Sequence, residues 1–132
     1  MAEFIFNNIT KKNHADSVGV YTYYYLKKYH ARMPQGDPTI IVMKELGIDV
    51  SKKPIKQVSK SIVRNSDIII VIMTKGRADK DLPSYIKKSR NFRLWIMEDI
   101  NGTLNLDSQL KGHRENRDKI LFLVKKLIKE IG

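Results

Sequence analysis

Glu98 and Asp99 stand side by side where an apolar run, residues 92–97, gives way to an Asn101-Gly102 turn signal. A carboxylate is a residue type that can give or take a proton, but from the residues alone this pattern reads as a polar strand end entering a turn. A second candidate is the stretch 21–32, in which five tyrosines are interleaved with Lys27, Lys28, His30 and Arg32. Tyrosines among cations can stack bases and pair with phosphates. They can equally pack an added helix or form a protein interface, where tyrosine is enriched. Tyr21, Tyr23, Tyr25, Lys27, Lys28 and Arg32 are the candidate binding residues, with packing or interface favoured because Tyr23, Tyr24 and Tyr25 cannot share one face. His14, His30 and His113 are far apart and lack metal-ligand spacing, so they read as surface histidines, with no metal and no cofactor expected. No glycine-rich phosphate loop and no nucleophile elbow is present.

The chain contains no cysteine. That removes disulfide scaffolds, thiolate zinc sites, iron–sulfur clusters and cysteine nucleophiles among these residues. A length of 132 residues suits one domain, with residues 1–132 as a single α/β unit. No apolar run approaches a membrane span, and the opening Met-Ala-Glu-Phe-Ile-Phe lacks the basic region of a signal peptide, so the expected location is cytoplasmic, with no membrane partner. The net charge of +11 favours anionic partners without choosing among them. Because Lys and Arg occur in nearly every segment, nucleic acid is the less favoured partner.

The elements that must position these groups are organised around residues 66–73. Ile68, Ile69, Ile70, Val71 and Ile72 form an unbroken β-branched run with no polar alternation. That is the pattern of a strand covered on both faces by helices, with function expected at its carboxyl end around Thr74 and Lys75. Helices are expected over 2–12, from the Asp37-Pro38 cap to the Gly47 stop, over 55–65 and over 113–131. In the second of these, Ile40, Ile41 and Leu46 form the apolar side, with Met43 less central. In the third, Ile55, Val58, Ile62 and Val63 point inward. Residues 15–20 read as a short extended piece, 74–82 as a solvated charged loop, and 92–97 as another strand. Alternating helices and buried strands predict an α/β class with a mainly parallel sheet.

Four blocks taken in order resemble the low-molecular-weight protein tyrosine phosphatases and their relatives, the thioredoxin-coupled arsenate reductases. Met1-Ala2-Glu3-Phe4-Ile5-Phe6 is similar to the opening of that family's first helix. Ala15-Asp16-Ser17-Val18-Gly19 is similar to its A-x-S-A-G strand. Asp37-Pro38, followed by Val42-Met43-Lys44-Glu45-Leu46-Gly47-Ile48-Asp49-Val50-Ser51, is similar to its P…V-M-K-E-x-G-I-D-I-S segment. Residues 67–73, followed by Trp95-Ile96-Met97-Glu98-Asp99, are similar to its D-I-I-V-x-M…W-x-x-x-D-P pattern. The terminal stretch 114–131 also fits the family's closing helix. The resemblance covers most of the chain, leaving out chiefly the tyrosine-rich stretch.

The resemblance implies a three-layer α/β/α fold with a short parallel sheet. It places Asp99 at the family's general-acid position, with Ile100 where the family has proline. It also exposes departures. The family's C-x5-R loop, which wraps an oxyanion at a helix start, has no counterpart, nor has the strand leading into it. The positions of the arsenate reductases' resolving cysteines fall near Thr74 and Asp81. The expectation is therefore a phosphatase-like chain, truncated at its N-terminus relative to the family. Without a nucleophile Asp99 is idle, and the chain is expected to serve as a binding or interaction module. The alternatives are an active phosphatase or arsenate reductase whose catalytic loop lies upstream, and a basic nucleic-acid-binding module. In the family the first strand lies between 15–20 and 67–73, so its loss predicts an unpaired strand edge. Three remedies are open: direct pairing by 15–20, a homodimer or other chain completing the sheet, or an upstream segment.

Overall fold

The β-branched run forms β1, Ile69–Met73, which pairs in parallel with β2, Phe92–Ile96, in the register Ile69 with Phe92 through Met73 with Ile96. These strands and the helices around them are seen in a computed structural model that describes residues 1–20 and 36–132. The helices are α1 Ala2–Ile9, α2 Pro38–Lys44, α3 Lys60–Arg64, α4 Lys75–Asp81, α5 Ser84–Lys87 and α6 Leu106–Ile131.

Side chains alternate across a strand, so β1 offers two apolar faces and each is covered. On one face Ile68, Ile70 and Ile72 pack against a core of Ile5 and Phe6 from α1, Met43 from α2, and Ile120, Val124 and Leu127 from α6. On the other, Val71 packs with Leu82 and Ile86, flanked by Val63, Tyr85 and Phe92. The result is the expected three-layer α/β/α arrangement around a short parallel sheet. Yet only Val71 of β1 is fully buried, while Ile69, Ile70, Ile72 and Met73 are half-buried.

Backbone geometry shows which edge of β1 is paired. The Ile69 N–H donates to the Asn91 carbonyl oxygen at 2.9 Å, and the Met97 N–H donates to the Met73 carbonyl oxygen at 3.1 Å. In a parallel strand a residue's N–H and C=O point to the same edge and alternate along the chain. Ile69, Val71 and Met73 therefore serve β2, and Ile70 and Ile72 face the opposite edge. No described residue pairs with their backbone groups there. Residues 15–20 do not pair directly with β1, so the first of the three remedies is not the one adopted. Instead Gly19 forms an isolated parallel bridge with Gln57: its N–H donates to Lys56 O at 2.8 Å, and its carbonyl accepts from Val58 N–H at 2.8 Å.

That bridge corrects the helix expected over 55–65. Residues 56–58 are held extended against Gly19, and Ser59 then caps a shorter helix, its Oγ accepting from the Ile62 N–H at 3.2 Å. Ile62 is 38% exposed rather than inward. The charged stretch 74–82 is likewise not a loop. Thr74 Oγ1 accepts from the Arg77 N–H at 3.3 Å and starts α4, whose Ala78 is buried, as is Leu82 after it. One cap and two small apolar contacts are enough to fold a segment that is otherwise charged.

α6 begins well before the expected residue 113. Asn105 Oδ1 accepts from the Ser108 N–H at 2.8 Å and buried Leu110 anchors the added turns. The other ends follow local chemistry: Asp37 Oδ1 accepts from the Thr39 N–H at 2.8 Å ahead of Pro38, and Gly47 takes φ +75° after α2. Among the described residues no helix is long and apolar enough to cross a membrane.

Candidate functional site

Beyond the carboxyl ends of β1 and β2 lies a cleft of about 220 Å³, the position that sheet topology favours for a site. Ile72 and Met73 form its floor, Asp99 and Ile100 one rim, and Thr39, His113 and Asn116 the facing helical walls. Among the described residues, Asp99 and its neighbour Glu98 are the sequence candidates that line it. Asp99 sits on the exposed loop after β2, with its Oδ2 3.7 Å from Arg77 Nε of α4. Both partners are mostly exposed, so this pair contributes little and leaves the carboxylate free to turn.

The backbone of the Asp99 loop is held more firmly than its side chain. Asn116 Nδ2 donates to the Glu98 carbonyl oxygen at 2.9 Å, and Lys119 Nζ donates to that of Ile96 at 3.0 Å. Ile100 lies on Gly112 of α6 so closely that a Cβ at Gly112 would stand 2.5 Å from the isoleucine Cδ1. A side chain at Gly112 would make the end of Ile100 shift. After the loop, Asn101 Oδ1 accepts from the Thr103 N–H at 2.9 Å, completing the predicted turn.

Several expectations are altered. Thr74 and Lys75 do not line the cleft, because the Thr74 hydroxyl is used as a helix cap. His113 is half-buried in the cleft wall instead of on the open surface. Thr39, His113 and Asn116 were not singled out as site residues. The one available signal was the three-residue spacing of His113 and Asn116 on a helix, which puts them on one face. Tyr21, Tyr23, Tyr25, Lys27, Lys28 and Arg32 lie outside the described residues. Among the described residues no three His, Cys, Asp or Glu side chains converge as a metal site would require.

Two ion clusters brace the scaffold around the cleft. Near the start of α1, Lys53 Nζ lies 2.8 Å from Glu3 and 2.7 Å from Asp16, and Lys56 reaches Asp16 at 2.6 Å. Hydrogen bonds from Lys53 and Lys56 hold the Asp16 carboxyl well below its usual range. Burial opposes the charged form of Lys53, but Asp16 and Glu3 more than offset it and raise its pKa. Between α2 and α6, Arg114 and then Arg117 bind Glu45 and lower its carboxyl from 4.5 to about 2.

Residues 1–20 and 36–132 thus place a carboxylate on a braced loop at the carboxyl end of a parallel sheet. A low-molecular-weight protein tyrosine phosphatase from T. tengcongensis superposes with a TM-score of 0.74, over 98% of this chain and 88% of that one, at 21% identity. The fold is that of the low-molecular-weight protein tyrosine phosphatases. Vibrio vulnificus Wzb, solved with benzylphosphonate, has the same fold, with a TM-score of 0.66 over 95% of this chain and 87% of that one at 17% identity. No family model matches the sequence, and no curated protein matches it either. At these identities the likeness to a low-molecular-weight phosphatase is one of fold. It bears out the architecture implied by the four sequence blocks.

Proposed function

We propose that these 132 residues act as a non-catalytic binding or interaction module built on the low-molecular-weight phosphatase fold. The observation that supports this is a phosphatase-fold cleft with an acid on its rim in a chain without cysteine. Phosphoryl transfer through cysteine needs a thiolate to attack phosphorus and an acid to protonate the departing oxygen. Asp99 offers the second role and nothing among these residues offers the first. The cleft then serves to hold an anionic ligand, or to complete an interface. The edge of β1 suits a strand from a second copy or another chain, because no described residue pairs with the Ile70 and Ile72 backbone groups there. The reading goes with a cytoplasmic protein that needs no cofactor.

The test is hydrolysis of p-nitrophenyl phosphate by the 132-residue chain. The expected rate matches the blank and does not change in Asp99→Ala. A rate above the blank that Asp99→Ala lowers by the roughly 100-fold or more typical of a lost general acid would overturn the proposal.

The same open edge favours one second reading. In it, a strand and thiolate-bearing loop from residues outside these 132 complete an active phosphatase or arsenate reductase, with Asp99 as its acid. In-frame codons ahead of Met1 encoding C-x5-R would support it, and codons without that motif would eliminate it.

A further inference from the structure

The structure carries a second concavity at the opposite end of the sheet, and its chemistry differs from that of the Asp99 cleft. It has a volume of about 390 Å³ and lies between α3, α5 and the start of β2. Lys60 and Arg64 form one wall, and Lys88 and Arg90 the other. Lys60 and Arg64 are four residues apart on one helix, so their stems lie about 5–6 Å apart on a common face. The lining contains no carboxylate, the nearest in sequence being exposed Asp67.

None of these four cations is held by an acid among the described residues. Lys53, Lys56, Arg77, Arg93, Arg114 and Arg117 all form ion pairs. Among the described residues, Lys60, Arg64, Lys88 and Arg90 form no ion pair and no side-chain hydrogen bond. Other lysines, Lys125 and Lys126 among them, also lack an acid partner among the described residues, but here four such cations from two separate segments line one groove that contains no carboxylate. The sequence does not show this, because Lys60 and Arg64 are separated from Lys88 and Arg90 by a strand and two helices.

We infer that this groove binds single-stranded nucleic acid through its phosphates. Two facing rows of charge suit an extended polyanion better than one isolated anion. The guanidinium forks of Arg64 and Arg90 match phosphate oxygens two at a time. Tyr85, half-buried against the Val71 cluster, adds an aromatic wall beside them. A basic groove with an aromatic wall is the general design of sequence-tolerant single-strand binders. The volume lies at the low end of ligand pockets, which suits one nucleotide unit of a threaded strand rather than a duplex. This inference does not rest on the reading proposed for the Asp99 cleft.

The experiment measures fluorescence anisotropy of a labelled oligothymidylate of about twelve nucleotides, with the 132-residue chain, at about 50 to 300 mM KCl. Lys88→Ala/Arg90→Ala is compared with Lys125→Ala/Lys126→Ala, which removes the same charge from exposed positions on α6. The groove variant is expected to weaken binding at least about 10-fold and to reduce the log–log salt slope by about 1.4, which is two phosphate contacts at 0.7 each. The α6 variant should stay within about 3-fold, and both should keep the melting temperature of the parent. Equal losses in the two variants would overturn the inference. So would no binding at the lowest salt, or tighter binding to duplex DNA, to an acidic peptide of equal charge or to anionic vesicles.

Discussion

Met43→Ala is expected to lower the unfolding free energy by about 2–5 kcal/mol, the largest single loss among the substitutions considered. The Met43 side chain has 0% exposure and belongs to the cluster that joins α1, α2 and α6. Truncation removes its transfer free energy and leaves a cavity lined by Ile5, Val124 and their neighbours, held apart by helix backbones that cannot close around it. Urea unfolding should show a lower midpoint with an unchanged slope. Ile62→Ala, at a position 38% exposed, should cost below about 1 kcal/mol in the same experiment. If the two losses are equal, the core has been misplaced.

Met43 also marks the limit of what periodicity reveals. Counting from Ile40 makes it peripheral, with Leu46 on the apolar side. In the structure Val42 and Met43 are both at 0% exposure and Leu46 is at 38%. A seven-residue helix takes its buried face from the element it crosses, here α6, and the phase of its own sequence is overridden. In α6 the stripe is long, and Ile120, Val124 and Leu127 are buried as the spacing predicts. β1 was legible for a related reason: five β-branched residues in a row have few alternatives to a two-sided strand. Segments whose structure depends on one distant contact were not legible. The 55–59 piece is extended because of Gly19, and 74–82 is helical because of Thr74 and two small burials. The position of Asp99 came from resemblance to a family. The meeting of Lys60 and Arg64 with Lys88 and Arg90 in one groove had no local signature at all.

Arg117→Ala is expected to cost about 2 kcal/mol, less than a core cavity but far more than a surface ion pair. Its side chain is only 11% exposed and donates to the Val42 carbonyl oxygen at 2.9 Å and to Glu45 at 2.7 Å. Most of the loss comes from the Val42 carbonyl, left part-buried without its charged donor. Glu45 still has Arg114 and water. Arg117→Lys should recover only part of the stability, because one ammonium would have to replace both the Nη1 that serves Val42 and Glu45 and the Nε that serves Asp118. The variant also changes the acid response. Glu45 has a folded pKa of about 2 against an ordinary 4.5, so the stability it contributes is present above about 4.5 and lost as pH falls towards 2. Asp16, depressed in the same direction, loses its share in both proteins. The fall in melting temperature between about pH 5 and pH 2 should therefore be smaller in Arg117→Ala than in the parent. An equal fall would show that Arg117 does not hold this carboxylate.

The β1 edge at Ile70 and Ile72, with which no described residue pairs, borders the Asp99 cleft, and amide hydrogen exchange tests that edge most directly. Val71 and Met73 are turned toward β2, while Ile70 and Ile72 of the same strand are turned away from it. The four residues share one strand and one opening reaction of the sheet. The account predicts that the Ile70 and Ile72 amides exchange at least about 100-fold faster than those of Val71 and Met73 in the dilute 132-residue chain. Equal, strong protection of all four amides in a monomer would contradict it, because β1 would then already have a second neighbour.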